Sequence, residues 1–181
     1  MRTDSSEYSP EAQYLAEQLI AVERCAYFAL LTRKKICWPL QPEDLEIHRL
    51  DAEFFEPLAA LNERFAKLQD MLGAAMRNAA FLLAESVPTF LHVLEFYEKH
   101  DVIESVNLWQ RMRKLRNDAA HEYDIDPRAT TEHFNLLEED LCALVKMTFR
   151  FVAFVQQMLK IEPPDREIHR LFCESVDGIQ K

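Results

Sequence analysis

Apolar positions repeat at intervals of three and four over long stretches of the chain, the spacing that turns one face of a helix toward a core. The first stretch opens at Ser9-Pro10-Glu11, a serine able to cap free amides ahead of a proline at a position that needs none. It carries Leu15, Leu19, Val22, Ala26 and Ala29 inward and runs to about Lys35. Cys37-Trp38-Pro39-Leu40-Gln41-Pro42 holds two prolines that cannot continue a helix, so it reads as a connection. From Asp51 to about Glu85, Leu58, Leu61, Phe65, Leu68, Leu72, Ala75, Ala79 and Leu82 step by 3, 4, 3, 4, 3, 4 and 3. A repeat averaging ~3.5 residues keeps one stripe against a neighbour and predicts a long bundle helix.

A shorter helix is expected from Thr89 to about His100, with Phe90, Val93, Leu94 and Tyr97 inward, and another from Val102 to Tyr123 on a stripe of Leu108, Met112, Leu115 and Ala119. Asp126-Pro127 repeats the cap-and-proline start. The helix that follows, about Arg128 to Lys160, is acidic at first and apolar almost all round from Leu141 to Val155. Such a surface must be covered on every side, by its own bundle or by a second subunit. Pro163-Pro164 ends it, and Arg166 to Val176 forms a last amphipathic helix. No strand pattern stands out. The expected fold is all-α, an antiparallel helical bundle of about five to six helices.

Composition narrows the function. A chain of 181 residues, 49% hydrophobic, suits one domain with a real core. Its only glycines, Gly73 and Gly178, cannot build the loops that cradle nucleotide phosphates, which argues against P-loop, dinucleotide and kinase readings. A net charge of −10 disfavours nonspecific duplex binding, so any nucleic-acid site must be local. The densest basic stretch, Arg111 to Arg116, offers Arg111, Arg113 and Lys114 as phosphate contacts beside Arg116, whereas Arg33-Lys34-Lys35 reads as a helix end. Cys25, Cys37, Cys142 and Cys173 are far apart and are expected to be reduced and mostly buried. No two histidines have short ligand spacing, and no metal is expected. With no apolar run near the ~18 residues of a membrane span and no apolar leader segment, a cytoplasmic protein without a membrane partner is expected.

Residues 116 to 123 read R-N-D-A-A-H-E-Y. Histidine transfers protons near neutrality, and arginine grips phosphate with two parallel hydrogen bonds, so Arg116 and His121 are residue types that suit metal-free chemistry on a phosphate ester. Asn117 stands four residues before His121 and can orient its imidazole, while Ala119 and Ala120 leave room for a second helix. A two-fold contact there would bring two such pairs together. The residues alone leave a second reading open, a polar helix end with cations at the negative pole.

This motif resembles the arginine–histidine signature of HEPN ribonucleases, with the later tyrosine of the HepT toxins. The resemblance spans roughly residues 10 to 160. It implies a homodimeric ribonuclease toxin with Arg116 and His121 catalytic, no cofactor, and a separate minimal nucleotidyltransferase antitoxin that attaches AMP to Tyr123. Residues 1–9 would be a flexible N-terminus, and 161–181 a helical extension outside the family pattern. Related helical domains also serve as non-catalytic adaptors or substrate-binding subunits of nucleotidyltransferases, the alternative this chain keeps open.

Overall fold

The computed structural model describes residues 8–117 and 126–179. Among these the protein is all-α, with seven helices and no strand: α1 (Pro10–Arg33), α2 (Pro42–Ile47), α3 (Ala52–Leu82), α4 (Phe90–Lys99), α5 (Val106–Asn117), α6 (Pro127–Leu159) and α7 (Arg166–Asp177). The caps read from sequence are in place. Ser9 accepts from the Ala12 amide at 3.2 Å, and Asp126 accepts from the Arg128 amide at 3.0 Å. Asp51 caps α3 in the same way through the Glu53 amide. Every member of the α3 stripe from Leu58 to Ala79 is buried, and it packs against the buried stripe of α1. Fully burying each such leucine or phenylalanine contributes roughly 1.5–3 kcal/mol.

Four details differ from the sequence reading. The proline-rich connection leads into α2, started by Pro42 and by Asp44 accepting from the Gln41 amide at 2.8 Å. The helix expected from Val102 begins only at Val106. Asp101 adopts a left-handed φ of 56°, and the amides of Val102 and Ile103 both turn back to Tyr97 O, so these two buried residues close α4. Within α5 the buried residues are Trp109 and Met112, with Leu108 and Leu115 only half-buried. The end of α6 comes at Lys160, whose left-handed φ of 56° breaks the helix before the two prolines are reached.

The apolar run Leu141–Val155 is covered from within the chain. Helix α6 packs against α1, α2, α3, α5 and α7, and Ala153 alone in that run is exposed. That run therefore gives no reason for a second subunit. Contrary to the sequence reading, α6 is long and apolar enough to cross a membrane by length and composition, but half of that apolar window is buried here, and a core helix passes the same test. All four cysteines are free, with Cys37 exposed and the other three half-buried rather than buried.

Helix α7 belongs to the main core, because Phe172 and Val176 pack with the stripes of α1 and α6. A polar contact ties it to α1. His169 Nδ1 lies 2.5 Å from Oε1 of Glu23, a fully buried carboxyl whose Oε2 has no hydrogen-bond partner among the described residues. Burial raises the Glu23 pKa, as does nearby Asp165, while His169 pulls it down. Folding therefore disfavours the charged form, and the site's contribution, complete below the ordinary glutamate pKa, is lost as pH rises through the raised one. Glu23→Gln should match wild type in urea denaturation near pH 4.5 and exceed it increasingly toward pH 8. Parallel stability curves would refute this. His169→Ala, which leaves the buried carboxyl alone, should cost at least ~1–3 kcal/mol at neutral pH.

Candidate functional site

On α5, Trp109, Arg113 and Arg116 follow at intervals of four and three and so share one stripe. That stripe faces a part of α3 beside its core face, where Gln69, Asp70, Gly73 and Arg77 lie. Both Phe90 and Trp109 pack on α3 at Gly73, their ring centroids 6.0 Å apart. A Cβ there would stand 3.0 Å from Phe90 Cζ, tighter than ordinary contact, and 3.4 Å from Trp109 Cζ2, so the missing side chain leaves room chiefly for the Phe90 ring. Buried Gln69 fastens the contact by donating from Nε2 to Trp109 O at 3.0 Å. Between α3, the start of α4 and α5 a cavity of about 290 Å³ remains open.

Three guanidinium groups border this cavity against one carboxylate. Arg116, with its side chain 15% exposed, donates from Nη1 to Ala66 O at 3.3 Å and pairs with Asp70 Oδ1 at 2.5 Å. Asp70 is itself largely in solvent, 66% exposed. Arg77 lies over the Phe90 ring, 5.6 Å from its centroid, and Arg113 is exposed. Neither Arg77 nor Arg113 has an ion-pair partner among the described residues.

Of the candidate residues, the structure brings Arg113 and Arg116 together at the cavity and places Arg111, Lys114 and Asn117 outside its lining. Arg111 points to the far side of α5 and pairs with Asp140 on α6. Burial raises the Asp140 pKa and Arg111 opposes the rise, so this arginine serves the α5–α6 contact. Lys114 is exposed and does not line the cavity. Asn117 is the exposed last residue of α5, while Ala119, Ala120, His121 and Tyr123 lie outside the described residues. The sequence reading missed Gln69, Asp70, Arg77, Phe90 and Trp109. Their helical spacing was visible in the sequence, but nothing there says which helix faces which.

A second arrangement invites comparison with a catalytic triad, since His169 Nε2 lies 3.8 Å from Cys173 Sγ and its other nitrogen meets Glu23. Burial, with Glu23 and Asp177 nearby, pushes that thiol's pKa up, away from the thiolate a nucleophile needs.

No family model, curated protein or solved structure matches the chain. Function is therefore read from the cavity itself. Its central ion pair provides a first test. Because Asp70 is mostly solvated, the Arg116–Asp70 pair should contribute little to stability. Arg116→Met should cost no more than ~1 kcal/mol in chemical denaturation. A loss of several times that would make Arg116 a structural residue.

Proposed function

We propose that the protein is a metal-independent endoribonuclease of the HEPN kind, with Arg116 holding the scissile phosphate and His121 transferring protons. The observation that supports this most is the gathering of Arg77, Arg113 and Arg116 around one cavity in a chain of net charge −10. Two of the three, Arg77 and Arg113, have no ion-pair partner among the described residues, and arginine's planar fork suits a phosphate. Through a single contact, Nη1 to Oδ1, Asp70 already places an anionic oxygen against the Arg116 guanidinium, the kind of partner that a phosphate would also offer.

Cleavage of RNA by its own 2′-hydroxyl requires a base for that proton, an acid for the leaving oxygen and a cation for the charge that grows on phosphorus. Arg116 supplies the last. His121, five residues on along the chain, supplies a proton carrier. One subunit has one such histidine, and a two-fold homodimer joined near Ala119 and Ala120 would supply both acid and base. In the same reading a separate nucleotidyltransferase silences the enzyme by placing AMP on Tyr123.

One observation favours the alternative, a non-catalytic adaptor or substrate-binding subunit of a nucleotidyltransferase: Arg116 is already engaged by Asp70 and Ala66. Activity decides between them. Purified protein should cut single-stranded RNA in EDTA, and His121→Ala should lower the rate by ~10² to 10⁴. Arg116→Ala should lower it comparably, by ~10² to 10³. Wild-type cleavage by both variants, or none by the wild type, would favour the adaptor. Light scattering should give twice the chain mass of 21.3 kDa, and a monomer at micromolar concentration would remove the dimer from the mechanism.

A further inference from the structure

We infer that the cavity between α3, α4 and α5 is a binding site for a single nucleotide, with Arg77 and Arg113 on its phosphate, Phe90 beside its base, and Asp70 as a resident anion that the phosphate displaces from Arg116. The inference rests on the ribonuclease reading only in taking RNA as the source of that nucleotide.

The charge balance leads to an anion. Three arginines face one carboxylate, and two of the three have no ion-pair partner among the described residues. Exposed arginines can remain solvated, but these come from two different helices and converge on one cavity, whose wall at Gly73 is free of a side chain. Asp70 meets a single arginine and stays mostly in solvent, so an incoming phosphate can take its place at little cost.

The rest of the lining leads from an anion to a nucleotide. A site for inorganic phosphate would be small and polar throughout, whereas this one holds Phe90 and the edge of buried Trp109 beside the arginines. Its volume of about 290 Å³ lies near the lower end of ligand pockets, which start at ~300 Å³, so it suits one nucleotide unit and not a stretch of strand. The Phe90 ring already carries a cation on one face, in Arg77, and such a ring with its guanidinium forms a surface on which a base can stack. Gln69 adds an acceptor. It lines the cavity, is 2% exposed, and its Oε1 has no hydrogen-bond partner among the described residues. With its Nε2 held by Trp109 O, Oε1 is the end of the amide left to accept an N–H from a base.

Titration calorimetry of the full chain with AMP, inorganic phosphate and adenosine tests the assignment. AMP should bind more tightly than phosphate, adenosine should bind least, and added salt should weaken AMP. Arg77→Gln and Arg113→Gln should each lower AMP affinity about tenfold or more, the equivalent of one charge-assisted hydrogen bond. Asp70→Asn, which removes the competing anion, should raise it. Both arginines are exposed, and unchanged circular dichroism would show that the variants fold. The site is overturned if neither wild type nor Asp70→Asn binds AMP at millimolar concentration, or if adenosine binds as well as AMP and the arginine variants change nothing. A short single-stranded RNA added to the His121→Ala chain should displace AMP, and failure to do so would overturn RNA as the source. Should AMP binding follow the predicted pattern in a protein that cuts no RNA, the nucleotide site stands and the ribonuclease reading falls.

Discussion

The arrangement of the molecule depends on the burial of one stripe along α3. Leu58 to Ala79 turn inward together against α1 and α6, and this fixes the rotation of a 31-residue helix about its own axis. Once that rotation is set, Asp70, Gly73 and Arg77 have no choice of direction. They lie beside the core face, where α4 and α5 arrive, and the missing side chain at position 73 leaves room for the Phe90 ring. The site is thus a consequence of the core, held by packing that none of its charged groups has to provide.

Polar groups inside the fold serve a different purpose, which is to specify partners among helices that hydrophobic stripes alone would let pair in several ways. Glu23 meets His169 between α1 and α7, and Arg111 meets Asp140 between α5 and α6. Asn135 on α6 brackets Leu40, accepting from its amide at 2.9 Å and donating to its carbonyl at 3.0 Å, and so seats the chain ahead of α2. Each contact joins two different elements, and each would leave a buried group unmatched in a wrong pairing. Gln69 Oε1 at the cavity, like Glu23 Oε2, has no hydrogen-bond partner among the described residues.

Much of the fold was legible in the chain because its causes are local. Stripes at three and four residues, the caps at Ser9 and Asp126, and the prolines after them establish helices through nearby atoms, and the structure places α1, α3, α4, α6 and α7 within a few residues of where they were expected. The errors fell where local signals were absent or ambiguous. A short helix follows two prolines, Val102 and Ile103 look helical by hydrophobicity yet close a turn, and Lys160 and Asp101 take left-handed backbone that glycine usually marks.

The sequence by itself determined the helical class, most helix boundaries and the acidic balance, and it drew attention to the basic end of α5, where Arg113 and Arg116 belong to the cavity. Only the tertiary structure decided that Arg111 serves the α5–α6 contact, that Arg77 from another helix joins them, and that the apolar surface of α6 is covered within one chain. The physical reason is the range of the forces involved. A helix is chosen by groups within about four residues of each other, whereas a site made by two helices depends on a rotation and a distance set by the whole packed core, such as those that bring Arg77 of α3 to the same cavity as Arg113 and Arg116 of α5.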